Sequence, residues 1–165
     1  MYQDTGLACV RYPRGADNTI FDKSALNTAY THTAGCRTDT RLIGYGRTYD
    51  LLYRAKQAAE KEGFSCDLLK LTQIFPLPEL VPSICRSYQR ILFFEEAYYY
   101  GGISQLLGDL LLEMGYTGSY QRIAPKQFIP QASIAAQLDE IGLSEAAMLK
   151  KIRQTVEQKE KEQSV

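Results

Sequence analysis

The chain is short of the residues that most often announce a chemical site. It has one histidine, His32, in 165 residues. No second histidine accompanies it, so neither a metal site nor a nucleophile–base pair reads out of the residue order. The four cysteines, Cys9, Cys36, Cys66 and Cys85, form no CxxC pair and lack metal-ligand spacing. They read as free thiols of a reducing cytoplasm, with Cys66 and Cys85 as small core residues. Net charge is absent as well: 19 Lys and Arg balance 19 Asp and Glu. That excludes the basic excess a broad nucleic-acid or membrane surface needs. No apolar run approaches the roughly 20 residues of a membrane span. The opening MYQDTG has no basic segment followed by an apolar one, so no secretory leader is expected. GxSxG, the P-loop and HExxH are all missing.

What remains is ordinary globular composition, 45% apolar and 23% charged, enough for one domain with a real core. Residues 6–12 read as a strand that stops in the basic turn Arg11-Tyr12-Pro13-Arg14-Gly15, and 16–27 as a polar linker. Residues 28–33 are rich in β-branched and aromatic side chains and meet the turn signal Ala34-Gly35. The spacing predicts a hairpin between them and a strand at 40–45, with 28–33 as an antiparallel edge. From there strand and helix alternate. Helices are expected at 48–62, 79–88, from Gly101-Gly102 to Gly115, at 133–141 and from Ser144 onward; strands at 65–71, 90–95 and 119–124. RILFFE, 90–95, is the most apolar strand and is expected at the centre of the sheet. The alternation predicts an α/β fold: a five-stranded, mostly parallel sheet with one antiparallel edge strand, covered on both faces. The expected limits are a residual strand at 1–15, the linker at 16–27, the domain at 28–158 and a charged tail at 159–165.

Several positions invite a chemical reading. Gly44-Tyr45-Gly46 follows a strand and opens a helix. A dinucleotide fingerprint would need a third glycine at Tyr49 and an acidic residue where the next strand ends in Lys70-Leu71, so these glycines are expected only to permit a tight turn. Glu95-Glu96 ends the 90–95 strand, at the edge where open α/β sheets bind ligands. Neighbours on a strand point to opposite faces, which separates the two carboxylates and leaves one to cap backbone N–H groups at Gly101-Gly102. Tyr98-Tyr99-Tyr100 either anchors an interface or covers the sheet end within the chain. His32 is expected exposed on the edge strand. Arg86, Arg90 and Lys70 are dispersed in sequence and suggest no phosphate funnel. Pro13 breaks the strand and frees Arg14 to turn toward its end. There it could clamp a phosphate or simply make a salt bridge.

Five stretches in order carry a resemblance: VRYPRG, LIGYGRTYDLLYRAKQAAEKEG, LTQIFPLPE, ILFFEEAYYYGGISQLL and APKQFIPQAS. Together they are similar to the C-terminal part of the 1-deoxy-D-xylulose-5-phosphate synthases, of the transketolase family. RYPRG and FIPQ point to the synthases; the middle stretches also resemble transketolases and the β subunits of 2-oxo-acid dehydrogenase E1 components. The resemblance implies a three-layer transketolase C-terminal fold. It implies a parent that condenses pyruvate with glyceraldehyde 3-phosphate, releasing CO₂, on thiamine diphosphate and Mg²⁺, for isoprenoid, thiamine and pyridoxal synthesis. It implies that Arg14 holds the acceptor phosphate and that the parent is a homodimer. The family's GDG…N segment and its activating glutamate belong to upstream domains and do not occur here. The chain alone is therefore expected to bind no cofactor, to be inactive, and to brace those upstream domains. The stranded segment 7–12 is expected to be disordered or to pair with a foreign sheet edge. The rival expectations are the matching domain of a transketolase or 2-oxo-acid dehydrogenase E1 β subunit, and a free-standing interaction module using Tyr98–Tyr100 and the sheet edge.

Overall fold

A computed structural model describes Cys9 and residues 28–35 and 38–162, with side chains through 157. The segment 7–12, the linker 16–27, Arg11, Arg14 and Cys36 lie outside the described residues, save Cys9, which is exposed.

The elements in chain order are β1 (Tyr30–Thr33), β2 (Thr40–Tyr45), α1 (Gly46–Lys61), β3 (Asp67–Leu71), α2 (Leu80–Arg86), β4 (Arg90–Phe94), α3 (Ile103–Glu113), β5 (Ser119–Ile123), α4 (Ile134–Glu140) and α5 (Glu145–Glu162). They form one five-stranded sheet in the order β1-β3-β2-β4-β5. β3, β2, β4 and β5 run parallel, and β1 is the antiparallel edge. The fold class read from the alternation of elements is the one observed.

Two expectations about pairing need correction. The segment at 30–33 makes no hairpin with β2; it pairs with β3, Tyr30 opposite Leu71 and Thr33 opposite Leu68. β2 has no free edge to offer, because β3 and β4 occupy both its sides. The turn after β1 is also fastened to β3, where the Gly35 N–H donates to Asp67 Oδ1 at 2.6 Å. The central strand is β2, with Thr40–Gly44 all buried, and β4 is its inner neighbour. Apolarity did not distinguish them, since any interior parallel strand is covered on both faces.

Strand alternation then sorts the two cores. Leu42, Leu68, Leu92 and Phe94 face Leu52, Ala55 and Ala59 of α1 and Met148 and Ile152 of α5. Ile43, Leu69, Ile91 and Phe93 face Val81 and Cys85 of α2 and Leu107 and Leu111 of α3. Cys66 and Cys85 are fully buried thiols, and burial pushes each up to about 12, so they pack as small apolar groups. α1 and α5 lie side by side in parallel, clipped by Arg54–Glu145 at 3.0 Å and by Arg153–Glu62. α5 opens on the expected cap: the Ala147 N–H donates to Ser144 Oγ at 3.1 Å. Replacing Ser144 with Ala should destabilise the fold by ~1 kcal/mol. A denaturant melt with an unchanged midpoint would remove that role from the hydroxyl. Among the described residues no helix is long and apolar enough to cross a membrane.

Candidate functional site

The sheet order reverses between β2 and β4. α1 covers one face after β2, and α3 covers the other after β4. The crevice outside the carboxyl ends of these two strands is where open α/β sheets receive ligands. Here the chain fills it with its own side chain.

Glu95 follows β4 and is fully buried. Its Oε2 accepts from the Ile103 N–H at 3.2 Å and from the Tyr45 hydroxyl at 3.1 Å. Its Oε1 accepts from the Ser104 N–H at 3.2 Å and from Ser104 Oγ–H. The carboxylate thus sits at the N-terminus of α3, on orphan N–H groups and the positive end of the helix dipole. An external anion would occupy that same place. Gly102 makes the approach possible, since a Cβ there would lie 2.3 Å from Glu95 Oε1. Burial and the facing carboxylate push the Tyr45 hydroxyl well above its usual range, so it remains a donor.

Glu96, beyond the end of β4, turns the other way. It takes a two-point bond from Arg47, Nε at 3.0 Å and Nη2 at 2.6 Å, and a longer one from Thr48 Oγ1. The Glu96 partnership raises the Arg47 guanidinium further. Both carboxylates are therefore engaged within the chain, each with its own set of partners. The Gly44-Tyr45-Gly46 turn starts α1, where Gly46 adopts φ +55, a conformation open to glycine, and it also places the Tyr45 hydroxyl on Glu95.

Of the three tyrosines beside this crevice, Tyr99 packs inward. Its ring lies 3.8 Å from Arg122 Cζ and 4.5 Å from Lys126 Nζ. Its N–H donates to the Pro125 carbonyl at 2.8 Å, and the Tyr98 hydroxyl donates to the Lys126 carbonyl at 3.0 Å. Tyr98 and Tyr100 remain exposed.

A second polar cluster occupies the opposite edge of the sheet and was not read from the sequence. Arg41, the second residue of β2, is 1% exposed. Parallel register sets it against Asp67 at the start of β3. Its Nη2 donates to the Tyr88 hydroxyl, which donates in turn to Asp67 Oδ2. Asp67 also accepts from the Gly35 N–H at 2.6 Å, and His32 Nε2 lies 3.3 Å from Oδ2. Burial alone would raise the Asp67 carboxyl, but Gly35, Tyr88, Arg41 and His32 together outweigh it and hold the group below its usual range. His32 is exposed as expected, yet it is a partner of Asp67 rather than a free surface residue. Arg86 and Arg90, distant from Lys70, meet at a cleft of about 580 Å³ near the same edge. Arg90 is neutralised there by Asp39 at 3.1 Å. Lys70 lies 4.7 Å from the Tyr49 ring.

Among the described residues no three His, Cys, Asp or Glu side chains converge as metal ligands. With Glu95 and Glu96 engaged, the described residues do not fit a Mg²⁺–diphosphate site.

These features define an open α/β domain in which a glutamate of the chain itself fills the crevice between β2 and β4. The chain belongs to the transketolase C-terminal domain family, described as "Transketolase, C-terminal domain", which matches residues 30–148. It is 28% identical to 1-deoxy-D-xylulose-5-phosphate synthase of Listeria welshimeri, over 96% of this chain and 26% of that protein. It is 29% identical to the synthase of Bacillus licheniformis, over 91% of this chain and 25% of that protein. The chain thus spans about a quarter of the length of the curated relatives it matches. Its fold is like that of a split-gene transketolase described as an inactive β4 tetramer, with a TM-score of 0.66 at 16% identity, over 76% of this chain and 42% of that one. It is also like that of transketolase from Pichia stipitis, with a TM-score of 0.57 at 14% identity, over 78% of this chain and 18% of that one.

Proposed function

We propose that the chain is the C-terminal domain of a 1-deoxy-D-xylulose-5-phosphate synthase. The parent is a cytoplasmic, homodimeric transferase that condenses pyruvate with glyceraldehyde 3-phosphate on thiamine diphosphate and Mg²⁺. One observation carries the reading: similarity to the synthases covers 96% of the chain, beyond the residues 30–148 that the family domain accounts for. It therefore takes in sequence on the upstream side, where RYPRG stands. Thiamine diphosphate is held by the upstream domains, and the work of this chain is bracing them. Arg14 holds the acceptor phosphate in the assembled enzyme, where a guanidinium gives a two-point, charge-assisted bond.

Calorimetric titration of the purified chain with thiamine diphosphate plus Mg²⁺, and separately with glyceraldehyde 3-phosphate, should give no saturable heat. Saturable cofactor binding would mean that the chain carries a site of its own and would overturn the reading. In the assembled synthase, Arg14→Ala should raise KM for glyceraldehyde 3-phosphate roughly 10- to 100-fold, the size of one lost charged hydrogen bond. KM for pyruvate should not move. An unchanged acceptor KM removes the role from Arg14.

A further inference from the structure

Among the described residues eight large apolar side chains are exposed; Leu112 lies near the end of α3 and Ile134 at the start of α4, and the other six share one edge. Ile74, Phe75 and Leu80 follow β3, Tyr98 and Tyr100 follow β4, and Phe128 follows β5. Because these strands are parallel, all six lie on loops or helix starts at one edge, the carboxyl edge of the sheet. Phe75 is 77% exposed and Phe128 88%. Phe128 stands beside a cleft of about 420 Å³ lined by residues 122–129 and by Glu140 and Ile141. The β4 and β5 loops are held together by the Tyr99–Pro125 and Tyr98–Lys126 bonds. This edge is apolar at its tips and rich in aromatic rings, the composition of a protein interface core. Glu95 already fills the crevice between β2 and β4 that this edge surrounds.

The position of the incoming chain says what covers it. β1 is antiparallel to β3, so Tyr30 lies beside Leu71, at the carboxyl edge. The Ala29 carbonyl accepts from the Thr72 and Gln73 N–H groups at 3.0 and 2.9 Å. The polypeptide before residue 28 thus joins the domain next to Ile74 and Phe75. Phe75 and Phe128 also lead the two loop stretches, FPLP and FIPQ, that carry the family resemblance, and neither packs into the core of its own domain.

We propose that this carboxyl edge is the docking face for the thiamine-diphosphate-carrying part of the parent enzyme, with Phe75, Tyr98, Tyr100 and Phe128 seated against it. The proposal rests on the synthase reading. To test it, p-benzoyl-phenylalanine replaces Phe75, Phe128 or, as a control at the far end of α3, Leu112, in the gene expressed from its own locus. Photo-crosslinked peptides are then identified by mass spectrometry. Positions 75 and 128 should label peptides of the thiamine-diphosphate-binding domains, on the same polypeptide or a separate one, at ten or more times the yield of position 112. Labelling of a second copy of this domain, of unrelated proteins or of nothing, or equal yield at 112, overturns the face. The same preparation is assayed for 1-deoxy-D-xylulose-5-phosphate formation. Activity with crosslinks elsewhere overturns the docking face alone. A preparation with no activity and no thiamine-diphosphate domain overturns the reading beneath it.

Discussion

Replacing Glu95 with Ala should lower the stability of the domain by about 3–5 kcal/mol, the range for removing one member of a buried, charge-assisted network. The Ile103 and Ser104 N–H groups, the Ser104 hydroxyl and the Tyr45 hydroxyl all donate to this one carboxylate. Without it they face a space too enclosed for bulk water, and α3 loses the negative charge at its N-terminus. At this chain length the loss corresponds to a fall in Tm of roughly 10–15 °C, read by circular dichroism. Glu95→Gln keeps one carbonyl acceptor but turns an NH₂ toward donors, so it should fall between Ala and the parent. Were Glu95→Ala to melt within 2 °C of the parent, the network would not be holding the crevice closed.

An effect of similar size is expected at the other edge. Asp67→Ala strands the Arg41 guanidinium, 1% exposed, and removes the acceptor for Gly35 and Tyr88. The expected loss is again about 3–5 kcal/mol. The pair itself is a different matter. Arg41 Nε and Nη1 have no hydrogen-bond partner among the described residues, so the guanidinium is only partly compensated. Changing both residues to leucine should therefore be milder than changing Asp67 alone, and a double variant less stable than the single would refute this. The site also sets an acid limit. The Asp67 carboxyl is lower in the folded chain than its ordinary value of about 3.9. Such a group adds stability above the unfolded value, and the contribution is lost as pH falls through the folded one. Denaturant midpoints should drop below about pH 4 in the parent and drop less steeply in Asp67→Ala. Identical acid limbs would assign the loss to other carboxylates.

These two sites differ in how far the sequence revealed them. The Glu95 cap was readable because the parts are local: a strand ending in two carboxylates, then a glycine pair, then an apolar helix. Alternation alone predicts that only one carboxylate can turn toward that helix. The Arg41–Tyr88–Asp67 cluster was hidden because its members come from three separate places: the second residue of β2, the first of β3 and the link ahead of β4. Only parallel register brings strand beginnings to a common edge, and a charge at the head of an apolar strand looks like a solvated end. The cue was present in the charged starts of TRLIGY and DLLKL. The hairpin failed for a related reason. A turn signal says that the chain bends, not which strand it then joins, and β2 was already flanked on both sides. Of the three tyrosines, the sequence left cover and anchor both open. Tyr99 takes the first role, stacked under Arg122 and Lys126.

The parallel clipping of α5 to α1 gives the domain a fore and an aft. α1 starts at the carboxyl edge of the sheet and runs away from it, and α5 follows the same heading through Arg54–Glu145 and Arg153–Glu62. The polypeptide before residue 28 joins at one pole, and α5 heads toward the other. A tether attached beyond α5 would hold the molecule by its aft pole on a sensor surface. Phe75 and Phe128 would then project into the flow, with no need to cut or reorder the chain.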